Sequence, residues 1–104
     1  MIKVSVMYPN TPEARFDQDY YRDIHMPLVQ ERMGKACLYY TVDRGITAEA
    51  DVPAPYIAMC HIFCDSLETF QASFGPNAEE ILADIRNYTD LEPVMQFSAV
   101  VIGH

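Results

Sequence analysis

Cations are scarce in this chain. Of its 104 residues, 7 are Lys or Arg against 15 Asp or Glu, the formal net charge is −8, and no basic run occurs. That excludes nucleic acid and anionic membrane as main partners, since both are held by Lys and Arg against phosphate. Long apolar runs are lacking as well. No stretch approaches the ~20 residues of a membrane span, and the opening Met-Ile-Lys-Val has no signal-peptide pattern. A cytoplasmic location is the expectation. The chain has no Gly-rich phosphate loop, no GxGxxG fingerprint and no nucleophile elbow. A nucleotide or flavin site therefore has no support, and no cofactor is expected. Cys37, Cys60 and Cys64 are odd in number and lack CxxC spacing, so they read as reduced core thiols. A zinc site at Cys60 and Cys64 would need His61, which an extended strand points the other way. No metal is expected either.

What is present is a foldable core. Half of the residues are hydrophobic and 21% are charged, which rules out a disordered chain. The length suits one domain, residues 1–104, that buries roughly two thirds of its unfolded surface.

Apolar periodicity divides the chain into elements. Over residues 2–8, Ile2, Val4, Val6 and Tyr8 alternate with Lys3, Ser5 and Met7, a strand. Pro9 to Pro12 form a loop, and a first helix follows with Asp17 as its N-cap and Gly34 as its stop. Residues 35–46 read as a second strand, 47–55 as a polar loop and 56–64 as a third strand. Asp65 to Glu68 resemble a capping box, after which Leu67, Phe70 and Phe74 repeat at helical spacing. Gly75-Pro76 interrupt that helix, and a further helical piece runs through Ile81, Leu82, Ile85 and Tyr88. Residues 91–102 form the last strand.

The order β-α-β-β-α-β predicts an α+β fold, a ferredoxin-like split sheet with both helices on one face. The third and fourth strands carry large apolar residues on both faces: Met59 and Phe63 opposite Ile62, and Met95, Phe97 and Val101 opposite Val94 and Val100. Helices cover one face only. A second copy is the simplest cover for the other, giving a homodimer and a dimeric α+β barrel.

Residues 16–28, FDQDYYRDIHMPL, are the candidate site. On a helical wheel Phe16, Tyr20, Ile24, Pro27 and Leu28 share one face, with Tyr21 at its margin; Gln18, Asp19, Arg22, Asp23 and Met26 share the other. His25 lies at the far edge of the apolar side, one turn after Tyr21. Pro27 lacks the N–H that would bond the Asp23 carbonyl, so a kink is expected just after His25, with freed carbonyls beside the imidazole. A histidine so placed ordinarily just donates a hydrogen bond. Near its unperturbed pKa of ~6.5 it also moves protons at neutral pH. A neighbouring tyrosine stabilises a carbonyl or enolate oxygen. His25 and Tyr21 are therefore the candidate catalytic pair, with Tyr20 placed closer to the core.

The run MYPNTPEARFDQDYYRDIHMPLV closely resembles the N-terminal signature of the EthD family, named for a protein linked to ethyl tert-butyl ether degradation. NYTDLEPVMQFSAVV, residues 87–101, is similar to that family's C-terminal run. With the length and element order, the resemblance covers essentially the whole chain. It implies a dimeric ferredoxin-like barrel, related in shape to small monooxygenases, muconolactone isomerases and stress-responsive barrel proteins. Members are often labelled oxidoreductases, and some fungal relatives act as cofactor-free dehydratases or decarboxylases of aromatic polyketides. The family's motif histidine matches His25, its paired tyrosines Tyr20 and Tyr21, and its Phe-Asp Phe16 and Asp17.

The combined reading is a pocket between helices and sheet for a small apolar or aromatic metabolite. Phe16, Tyr20, Leu28, Tyr40 and His61 are the candidate binding residues. The chemistry is proton abstraction next to a carbonyl, in a cofactor-independent oxidoreductase, isomerase or dehydratase. The alternative of another class is a non-catalytic accessory or ligand-binding protein. A third reading is haem held by His25 or His61.

Overall fold

The expected strands form, with edges set by their partners. The computed structural model describes residues 1–103; the expected domain of 1–104 extends one residue, His104, beyond them. β1 (Ile2–Pro9), β2 (Tyr39–Arg44), β3 (Tyr56–Cys64) and β4 (Val94–Ala99) make one antiparallel sheet in the order β2-β3-β1-β4. Val4 pairs with Ile62 and Phe97, and Val6 with Cys60 and Met95, so these side chains share a face. The last strand is shorter than its apolar run, because β1 begins at Ile2 and has no residue to pair beyond Ala99 except through Val100 N–H to the Met1 carbonyl. Val101 and Ile102 are left exposed. The second strand is shorter too: a 3-10 turn at Gly34–Ala36 consumes its expected start.

Helices lie on one face only. α3 (Leu67–Phe74) and α4 (Ala78–Asp84) are joined by a 3-10 turn at Gly75–Asn77, where Pro76 interrupts the α pattern. The α3 cap is Ser66, which accepts from the Thr69 N–H at 3.1 Å, and not the expected Asp65. From the sheet Val4, Tyr8, Cys60 and Ile62 meet Tyr21, Met26, Val29, Phe70 and Ile81 in one core. The fold is α+β and ferredoxin-like, as the element order predicts. The opposite sheet face carries Met7, Met59, Tyr39 and Phe63 with no helix over it among the described residues. Tyr39 and Phe63 stack there, with centroids 4.2 Å apart.

The first helix departs from expectation in an informative way. Asp17 caps it, accepting from the Tyr20 N–H at 3.1 Å, and Gly34 ends it at φ 60°. It is not broken at Pro27. α1 (Gln18–Tyr20) passes into a π-helical turn at Tyr21–His25 and on into α2 (Met26–Met33). The Met26 N–H bonds the Tyr21 carbonyl, five residues back. Pro27 offers no N–H for the usual α bond, and the helix continues past it by way of the wide turn. The extra residue rotates the wheel. Ile24, assigned to the apolar face, is 52% exposed, while Met26, assigned to the polar face, is buried. The buried stripe runs through Tyr21, His25, Met26, Val29 and Met33.

Pro27→Ala restores a donor and should let the turn relax to α register, swinging His25 out of alignment. Because Pro27 is exposed and proline inside a helix costs ~3 kcal/mol, the melting temperature should hold or rise while ligand affinity falls. A large drop in melting temperature with affinity unchanged would contradict this.

Candidate active site

The wide turn delivers Tyr21 and His25 to a cavity between helices and sheet. Its volume is about 50 Å³, and its walls are almost wholly apolar, including Val4, Val6, Cys60 and Ile62 from the sheet and Phe70 and Ile81 from the helices. Tyr21 and His25 are stacked, 5.6 Å between centroids and 15° between planes.

His25 is 4% exposed and anchored by a carboxylate. Its Nδ1 lies 2.9 Å from Oδ2 of Asp84, the last residue of α4. Asp84 also accepts from the Tyr20 hydroxyl at 2.7 Å and from Asn87 Nδ2 at 2.9 Å. Burial raises the Asp84 pKa, but the hydrogen bonds from Tyr20, His25 and Asn87 outweigh it, and the carboxyl sits below its usual range. Facing an ionised acceptor, Nδ1 carries the proton and Nε2 keeps its lone pair. Burial pushes the His25 pKa down and Asp84 opposes only in part, so the ring is neutral at neutral pH. Among the described residues Nε2 has no hydrogen-bond partner. The expected freed carbonyl beside the imidazole is thus replaced by a carboxylate from another helix.

Three further aromatic rings, Phe16, Tyr8 and Tyr88, back the pair. Phe16 packs edge-on against Tyr8, Tyr21 and Tyr88, at 5.0, 5.0 and 5.3 Å. The hydroxyls of Tyr8 and Tyr88 lie 2.5 Å apart and satisfy one another. Burial raises the Tyr8 pKa to about 12 and pushes Tyr88 up as well. Tyr21 differs: it is fully buried, and its hydroxyl has no hydrogen-bond partner among the described residues. Cys60 and Tyr8 lie beside it without hydrogen-bond geometry. Burial, then the nearby Cys60, hold its pKa well above the usual tyrosine value, so it remains a donor. An orphaned hydroxyl in an apolar wall costs about 1–3 kcal/mol and calls for a ligand acceptor. The Cys60 thiol is pushed up to about 11 by burial, so it is not a thiolate nucleophile.

The residues expected at the site fall in different places. His25 and Tyr21 meet at the cavity. Phe16 stands behind Tyr21. Tyr20, placed nearer the core by the wheel, is half-buried at the rim and braces Asp84, whose carboxylate raises its pKa. Leu28 and Tyr40 are half-buried and not in the cavity wall. His61 is on the helix-free face, its Nδ1 2.8 Å from Ser5 Oγ and its Nε2 3.2 Å from Asp43 Oδ2. Both of its nitrogens are engaged, and the cavity beside His25 is far smaller than a porphyrin, so neither histidine suits iron. Asp84, Tyr8 and Tyr88 were missed. Asp84 and Tyr88 stand one turn apart in ILADIRNY, with Ile81 and Ile85 alongside, and that spacing marks them as inward-facing.

The family model of the EthD domain matches residues 9–92. A solved EthD-like protein from Ralstonia eutropha JMP134 is 51% identical, with 99% of this chain and 94% of that one covered and a TM-score of 0.94. An ethyl tert-butyl ether degradation (EthD) family protein from Bacillus halodurans C-125 is 15% identical, covering 95% and 97% of the two chains at TM-score 0.65. A putative antibiotic biosynthesis monooxygenase from Deinococcus radiodurans is 17% identical, covering 100% and 98% at TM-score 0.58. At such identities the last two show likeness of fold alone. None of the curated proteins matches the chain. The family match and the half-identical EthD-like structure agree: this chain belongs to the EthD family.

Proposed function

We propose that the cavity binds a small apolar carbonyl compound and that His25 abstracts a proton from the carbon next to the carbonyl, with no cofactor. The observation that carries this is one arrangement. Asp84 holds Nδ1 at 2.9 Å, which leaves Nε2 basic, and the ring stacks on Tyr21, whose hydroxyl is unpartnered. The C–H bond breaks, its proton passes to Nε2, and the electron pair moves into an enolate. The enolate oxygen keeps a hydrogen bond from Tyr21, and the apolar wall strengthens it. Return of that proton from Nε2 to another carbon gives isomerisation; its delivery to a departing β-hydroxyl, which leaves as water, gives dehydration. No helix among the described residues is long and apolar enough to cross a membrane, and the buried free thiols fit a reducing cytoplasm.

The working unit is a homodimer joined through the helix-free sheet face. Tyr39 and Val94 are 41% and 46% exposed there, beside the half-buried Met59 and Phe63, and a second copy is the cover of matching shape. Light scattering at micromolar concentration should give twice the chain mass, and a monomer would refute this unit.

Deuterium exchange at C3 of pentane-2,4-dione, followed by proton NMR, tests the chemistry. His25→Ala should slow protein-dependent exchange roughly 10²–10⁴-fold with the protein still folded. Tyr21→Phe should cost less. A variant that exchanges normally but is ~1–3 kcal/mol less stable would make His25 structural. Binding without exchange in the wild type would favour a carrier of the same ligand.

Acid should act on both rate and stability. His25 works as the neutral base, so exchange should fall only at pH values below the ordinary histidine value of ~6.5. The native state also binds fewer protons than the unfolded chain. Stability from this group is therefore complete above about pH 6.5 and is lost as pH falls towards the depressed native value. Asp84 adds a second loss at still lower pH. A melting temperature flat from pH 7 to 5, and equal in His25→Asn, would contradict the linkage.

A further inference from the structure

The size of the cavity limits what lies inside it. At about 50 Å³ it is well short of the ~150 Å³ that admits a benzene ring. A carbonyl with a carbon or two fits; the rest of a larger ligand must lie elsewhere. The walls indicate where. Leu82, Ile85, Pro93 and Met95 line both the cavity and an adjoining open cleft of about 260 Å³ between α4 and β4. Leu82 and Met95 are 51% and 44% exposed, although Met95 is on the helix side of the sheet. Phe70 of α3 reaches Phe97 on the outer strand, but on the α4 side this strip is left uncovered. At its outer rim Arg86 and Glu92 pair at 2.5 Å, so the cleft offers no unpaired charge of either sign from these two groups.

We propose that the site takes an elongated ligand, with its enolisable carbonyl head at Tyr21 and His25 and an uncharged apolar body lying between α4 and β4 over Leu82, Ile85, Pro93 and Met95. The inference rests on the proposed function for the position of the head. The body is selected by burial alone: each methylene moved from water onto this strip gains binding, and a charged tail gains nothing. A compound as short as pentane-2,4-dione is then a minimal probe that reaches only the inner end of the strip.

Calorimetric titration of the full-length protein with pentane-2,4-dione, octane-2,4-dione and undecane-2,4-dione tests this. Kd should fall roughly three- to fourfold per added methylene while the chain covers the strip. Met95→Glu and Leu82→Asp should each flatten the series, read as the ratio of Kd between longest and shortest dione; they lie on opposite walls, so either serves if the other fails to fold. Equal Kd across the three diones, or an equally steep series in both folded variants, would overturn the proposal. Because the readout is binding, a steep series without deuterium exchange would support the elongated ligand while refuting the proton-transfer reading.

Discussion

The hydrogen bond between Asp84 and His25 ties the site together. It joins the end of α4 to the π-helical turn before α2, 59 residues apart in sequence. It fixes the ring plane and selects which nitrogen carries the proton. Tyr20 and Asn87 donate to the same carboxylate, so Asp84 is ionised for reasons beyond His25. A buried imidazole alone would be a weak, undirected base. A carboxylate alone at that depth would be pushed towards its neutral form. Each compensates the other's desolvation, and the outcome is a neutral histidine with one free lone pair.

Backbone geometry makes that bond possible. With a regular α-helix through residue 27, Pro27 would leave the Asp23 carbonyl unpaired and crowd it. The π turn avoids this by spacing Tyr21 and Met26 one residue further apart. The same widening puts Tyr21 and His25 on the stripe that meets the sheet and turns Ile24 outward. The proline therefore acts by setting the phase of the helix, and the cavity wall follows from that phase.

Strand positions and the helix-face alternation could be read from the sequence because period-2 patterning survives in an antiparallel sheet covered on one side. Residues 56–64 match β3 end to end for that reason. The helix wheel failed at Ile24 and Met26 because a uniform 100° step has no place for a π turn. His25 and Tyr21 were readable through their spacing. Asp84 was readable only in part: its spacing with Ile81, Ile85 and Tyr88 turns it inward, but nothing local names a histidine 59 positions away as its partner. His61 looked like a pocket residue, yet strand alternation places it on the far face with Ser5 and Asp43.

The protonation state of one ring tests the account most directly. Nitrogen-15 NMR of histidine-labelled protein distinguishes the two imidazole tautomers and follows their titration. At pH 7 His25 should be neutral with its proton on Nδ1, should protonate only below the ordinary histidine range, and should lose that tautomer preference in Asp84→Asn. A proton on Nε2 at pH 7, or a charged ring at that pH, would contradict it.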